Sequence, residues 1–197
     1  MHSVQKMFFA AALAALAVPA FSQTAPTGQT IQDRKENQQD RIGNGVADGQ
    51  LTAGETKNLE KKESNLNQEE HDMRKLDNGH LTAADKATLN QQQNQLSKQI
   101  YNDKHNGRVQ NTAPKSEVGK RQENQQDRIA QGVKSGQLTP RETAHLENRE
   151  AAVNHEIRAD RRANGGKLTA QEKAKINRQE NRNSRAIYRD KHNGRRQ

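Results

Sequence analysis

The chain reads as an all-α protein made of two tandem three-helix repeats, and three observations predict it. A joint of the form Gly-x-Leu-Thr-x-x-Glu or Asp is written four times, beginning at Gly49, Gly79, Gly136 and Gly166. A shift of 87 residues lays positions 32–110 on 119–197 without a gap, and 41 of those 79 positions are identical. Apolar residues recur at helical spacing, as in Leu59, Leu66 and Met73 or Leu89, Leu96 and Ile100, and no run alternates with period two.

The chain opens with His2 and Lys6 ahead of an apolar run from Met7 to Val18, followed by Ala20-Phe21-Ser22. This is the pattern of a secretory signal, with small residues before a cleavage point near Ser22-Gln23, and it is too short to span a bilayer. The expected address is therefore the periplasm or the extracellular space. Residues 1–22 are read as the signal and 23–30 as a flexible segment. The first repeat follows at 31–109, a linker with Thr112-Ala113-Pro114 at 110–117, and the second repeat at 118–197.

Each joint explains one helix end and one helix start. Glycine takes the left-handed conformation that closes a helix, and threonine followed three residues later by a carboxylate caps the next one. Pro140 falls on a first helical position, where its missing N–H costs nothing. Within a repeat the joints lie 30 residues apart, one long helix plus one turn. The helices are expected at about 31–47, 53–77 and 83–105, and again at about 118–134, 140–163 and 170–192, with ends fixed to within a few residues. The endings Asp103-Lys104-His105-Asn106-Gly107 and Asp190-Lys191-His192-Asn193-Gly194 suit helix C-termini, with basic residues at the negative end of the dipole and Asn-Gly as the stop.

Composition limits the core. After Ser22, Leu, Ile and Val together number 22 in 175 residues, Tyr101 and Tyr188 are the remaining aromatics, and cysteine is absent. A repeat this lean barely offsets its own ordering entropy, so the fold is expected to be thin and supported by self-association or a bound partner. Glu63, Glu150 and Glu180 interrupt the apolar stripes and are expected to need partners such as Arg41 or Arg128. Met73, Leu76 and Leu96 become Asp160, Ala163 and Asn183 in the second repeat, which should make it the looser one.

Charge divides the repeats. Residues 24–110 hold 12 basic and 13 acidic side chains, a net of −1, whereas residues 111–197 hold 20 and 11, a net of +9. Lys175, Arg178, Arg182, Arg185 and Arg189 advance by alternating three and four residues, with His192 and Arg196 continuing the series. On a helix this is one ridge, roughly 160° from Ile176 and Ile187 and about 21 Å long from Lys175 to Arg189. The first repeat has Thr88, Gln91, Gln95, Lys98 and Asn102 at the same places, so the ridge belongs to the second repeat. Arginine's planar fork suits phosphate and carboxylate, so the expected partner is an anionic polymer or an acidic protein. The scarcity of aromatic rings argues against sequence-specific nucleic-acid recognition.

Two family resemblances rest on the joints. Gly-x-Leu-Thr-x-x-Glu resembles the second half of an EF-hand loop, which would imply calcium binding with closing carboxylates at Glu55, Asp85, Glu142 and Glu172. The positions that would supply the first and third ligands are Asn44 and Val46, Arg74 and Leu76, Gln131 and Val133, and Arg161 and Ala163, mostly without oxygen donors. Only Asn44, Asp48 and Glu55 approach a site, so no metal is assigned. The recurrent Leu-Thr with Glu or Asp three residues on also resembles the Leu-Thr-x-x-Gln mark of periplasmic stress chaperones of the Spy and CpxP kind. That resemblance implies an all-helical protein binding clients or envelope components without catalysis. No catalytic constellation or cofactor motif stands out, and the expectation is a non-enzymatic binding protein. The first repeat would act as scaffold or self-association surface and the second would dock the anionic partner.

Overall fold

The computed structural model describes residues 29–196 apart from Ala113, so the signal segment and most of 23–30 lie outside it. The described residues form six helices and no strand: α1 (Ile31–Ala47), α2 (Ala53–Leu76), α3 (Ala83–His105), α4 (Glu117–Lys134), α5 (Pro140–Ala163) and α6 (Ala170–Lys191). Thr52, Thr82, Thr139 and Thr169 each accept from the backbone N–H three residues on, while the carboxylate of that residue accepts from the threonine's own N–H. A fifth capping box, Thr30 with Asp33, starts α1, and Ser116 caps α4 without the reciprocal carboxylate. Such caps are worth about 1 kcal/mol each, a large share for a chain with so few aliphatic side chains. Gly49, Gly79, Gly136 and Gly166 all adopt positive φ at the joints.

The two copies are not separate thin bundles. The most extensive packing is α2 on α5 and α1 on α4, each inner helix against its own counterpart, while α3 rests on α1 and α2 and α6 on α4 and α5. This is the pairing of a self-complementary dimer, made within one chain. At Gly43 the approach of α1 to α4 is too close for a side chain, since a Cβ there would lie 2.5 Å from Lys134 Cγ and 3.3 Å from the Ala130 carbonyl oxygen. The support that so lean a repeat requires thus comes from the other repeat.

The aliphatic core differs between copies as their sequences do. In the first it is one cluster, including Ile42, Leu51, Leu59, Leu66, Leu89, Leu96 and Ile100. In the second it is split into one group around Ile129, Leu138, Leu146 and Ile187 and another around Val118, Val153, Ile157 and Ile176. Leu96 belongs to the first cluster and its counterpart Asn183 is a buried polar residue. Leu76 is 83% exposed, so its change to Ala163 removes nothing from a core.

Between these clusters runs a seam of buried polar groups, which explains the repeated Glu-Asn-Gln-Gln-Asp-Arg-Ile. Gln38 donates to the Gln93 carbonyl oxygen at 2.7 Å and Gln125 to that of Glu180 at 2.9 Å. Gln39 donates to Glu60 at 3.1 Å and Gln126 to Glu147 at 3.0 Å. Among the described residues Arg41 and Arg128 do not pair with carboxylates; Arg41 donates to the Ser97 carbonyl oxygen at 3.0 Å and Arg128 to both Ser184 oxygens at 2.6 and 3.2 Å. Glu60, Glu63, Glu147 and Glu180 are fully buried, and Glu150, nearly so, accepts from Asn183 at 3.0 Å.

A carboxylate out of water favours its proton. Burial pushes Glu63 up to about 7, with Lys35 opposing and Glu70 reinforcing it. It pushes Glu147 up to about 8 against the bond from Gln126, and Glu180 to about 7. Burial, then the negative neighbours Glu180 and Glu147, take Glu150 to about 9. Burial raises Glu60 well above its ordinary value, with Glu63 and Glu147 adding repulsion. The capping carboxylates behave oppositely. Burial resists ionisation of Glu55, but bonds from Thr52 and Asn106 outweigh it, and Thr139 and Asn193 do the same for Glu142.

The linker is laid over the first joint. Gln110 donates its N–H to the Gly49 carbonyl oxygen at 2.8 Å and its side chain accepts from Ala53 N at 3.3 Å. Gly49 has φ +68°, and a Cβ there would lie 2.6 Å from the Gln110 carbonyl oxygen; at Gly136, φ +65°, a Cβ meets nothing within 4 Å.

Two outcomes are expected. Raised carboxyl pKa values give stability that is complete below their ordinary value of 4.5 and lost as pH climbs through about 7, 8 and 9. The lowered caps give stability lost as pH falls below that value, so stability should peak near about pH 5. Urea unfolding should show stability falling from about pH 5 to about pH 9, and Glu150→Gln should flatten that fall. At the joints, Gly136→Ala should cost only the left-handed penalty of ~1 kcal/mol, and Gly49→Ala about 2 kcal/mol more through overpacking, read from urea midpoints.

Candidate anion-binding face

Helix α6 has one face against α4 and α5 and its opposite face in solvent. Ile176, Glu180, Asn183, Ala186, Ile187 and Asp190 form the buried side. Lys175, Arg178, Arg182, Arg185 and Arg189 are all exposed, so the three-and-four spacing puts these cations in one row on the solvent side.

Ion pairing divides that row. Lys175 Nζ lies 2.7 Å from Glu156, and the hydrogen bond and charge of that carboxylate raise the lysine above its ordinary value. At the other end Arg189 Nε lies 3.1 Å from Asp190. The middle three, Arg178, Arg182 and Arg185, have no ion pair among the described residues, and they span about 10 Å of helix. Arg196 stands apart from them. The helix ends at Lys191 with His192 as its cap, and Arg196 lies beyond it, donating to the Arg195 carbonyl oxygen and lining a cleft beside the α4–α5 joint.

A further arginine adjoins the row. Arg128 of α4 lines a shallow depression together with Ser184, Arg185, Tyr188 and Arg189. Its guanidinium is held by the two bonds to Ser184, so its direction is fixed before any partner arrives. Sequence spacing does not reveal this residue because it comes from another helix; the signal is Arg128 itself, which the sequence suggested as a partner for a core carboxylate. Tyr188 stacks on His192 with ring centroids 4.2 Å apart, and Tyr101 on His105 at the same distance, so the pair is a feature of helix ends in both copies. Lys191, although cationic, is buried, gives its Nζ to Gln131 at 3.0 Å, and is lowered first by burial and then by Arg128.

Of the oxygen donors singled out as the best approach to calcium, Glu55 has its side chain engaged by hydrogen bonds. Asp48 closes α1, its N–H bonded to the Asn44 carbonyl oxygen at 2.9 Å. Glu55 accepts from Thr52 through one oxygen and from Asn106 at 2.8 Å through the other, with Arg108 at 3.7 Å. Among the described residues no group of three or more His, Cys, Asp or Glu is placed to hold a metal ion, and no helix is long and apolar enough to cross a membrane. Comparison with family models, with curated proteins and with solved structures finds no match to this chain.

Proposed function

We propose that this is a secreted, non-enzymatic binding protein that holds an anionic polymer along α6. The observation that carries the reading is the row Arg178, Arg182 and Arg185, exposed and without acidic partners among the described residues, with the pre-oriented Arg128 beside it. Side chains that merely keep a surface soluble are usually interspersed with the opposite charge, as Lys175 and Arg189 are here. The same face of the first copy carries Gln91, Gln95 and Lys98, so the two halves differ in charge at this place. A linear polyanion such as an acidic polysaccharide or the phosphate-bearing core of lipopolysaccharide matches a straight row of forks, each able to take two oxygens. The first copy then serves as the platform that holds the second copy folded.

The chain should be retained on immobilised heparin and released by salt. Arg178→Gln, Arg182→Gln, Arg185→Gln and Arg189→Gln together should lower the slope of log affinity against log salt by about 3, at roughly 0.7 to 0.9 for each anionic group that the variant leaves unneutralised. Because these side chains are exposed and among them only Arg189 has an ion pair, to Asp190, thermal unfolding should change little. Unaltered retention by the four-fold variant would refute the polyanion reading; suppression of client aggregation by that same variant would favour the chaperone reading.

A further inference from the structure

One stretch outside the helices is written twice. Thr24-Ala25-Pro26 ahead of α1 repeats Thr112-Ala113-Pro114 ahead of α4; Ile31 comes seven residues after Thr24, and its counterpart Val118 six after Thr112. The second of these stretches has a definite seat. Thr112 Cγ2 lies 2.6 Å from where a Cβ on Gly49 would stand, and Pro114 Cβ 2.5 Å from where one on Gly119 would stand. Just before them, Gln110 donates its N–H to the Gly49 carbonyl oxygen and accepts from Ala53 N through its side chain. The linker therefore crosses from the joint of one copy to the first helix of the other.

A shift of 87 residues carries Gly49, Ala53 and Gly119 onto Gly136, Pro140 and Gln32, and these three line one cleft of about 420 Å³. Because α1 packs on α4 and α2 on α5, this cleft between α1 and the α4–α5 joint is the counterpart of the surface that the linker covers. Gly49 is buried there, whereas Gly136 is half-buried, and a Cβ on it meets nothing within 4 Å among the described residues. We propose that the cleft is the seat of the chain's own Thr24-Ala25-Pro26, which lies outside the described residues, with Thr24 against Gly136 as Thr112 is against Gly49. Length permits it. The cleft residues from Gln32 to Asp40 cover about 12 Å of α1, and the seven residues from Thr24 to Ile31 span up to about 23 Å. The one extra residue makes room for the side chain of Gln32, where α4 has Gly119 under Pro114. Charge permits it too, since the wall mixes Lys35, Lys134 and Arg196 with Glu36 and Asp40, and residues 23–30 carry no charged side chain to be repelled by either sign. Proline favours extended backbone in the residue before it, the form that fits along a cleft. The seat uses the open surface at the joint and does not depend on the arginine row.

The chain has no cysteine, so Thr24→Cys combined with Ser135→Cys, at an exposed position lining the cleft, allows a single disulfide within one chain. Its equilibrium with glutathione in the purified chain reads the effective concentration of residue 24 at the cleft, which is a few millimolar for a free tether. A value at least about tenfold higher is expected. Gly136→Ala should lower it at least about tenfold, because a segment tied at one end lifts away where the linker, tied at both, is overpacked. Gly79→Ala carries the same left-handed penalty at a joint that does not line the cleft, and should leave the value unchanged. Should circular dichroism show Gly136→Ala unfolded, Pro26→Gly is expected to lower the value by a similar factor. An effective concentration of a few millimolar or less, or an equal fall with Gly79→Ala, would overturn the proposal. Disulfides between two chains in place of one would overturn it as well and assign the cleft to a second copy's segment.

Discussion

The contact of α2 with α5 is the constraint on which the rest of the molecule depends, because it places Glu60 and Glu147 close enough to repel each other inside the fold. Two ionised carboxylates could not share that space, so the helices close only when protons, Gln39 and Gln126 compensate. Everything outward follows from this. The glutamines that hold the two glutamates come from α1 and α4, and their neighbours Gln38 and Gln125 grip the backbones of α3 and α6. One short polar sequence, written twice, therefore ties three helices in each copy to a common middle. The aliphatic side chains fill the spaces on either side of that seam.

Helix ends were the most legible part of the fold, and for a local reason. A capping box and a left-handed glycine need only a few consecutive residues, and each joint carries both signals. Packing was less legible. An apolar count can show that a repeat is too lean, but nothing in a linear pattern says that α2 must lie on α5, because the buried faces there bear glutamate and threonine. The ridge on α6 could be read because its cations obey one helical period and touch nothing in the core. Arg128 was legible only as a partner for a core carboxylate, since it reaches the same surface from another helix, and the different bonding of Glu63 and Asn67 emerges only when the donors to Glu150 and Asn154, Asn183 and Gln122, are compared with Leu96 and Lys35.

The copies have thus diverged by exchanging kinds of stability. The first keeps one continuous aliphatic cluster; the second gives up that continuity and adds polar bonds, from Asn183 to Glu150 and from Gln122 to Asn154. An internal pair with self-complementary faces permits such drift, since a loss in one half is buffered by its packing against the other. Surface charge drifted independently, because α6 shows its outer side only to solvent.

The protonated seam also fixes the direction of proton traffic when the chain folds. An extended polypeptide near neutrality has its glutamates ionised, whereas the closed form retains hydrogens on Glu147 and Glu150. Closure thus withdraws acid from the surroundings, and the second half emerges more cationic than a tally of its residues implies. In a weakly buffered compartment, the medium itself becomes a reactant in assembling the molecule.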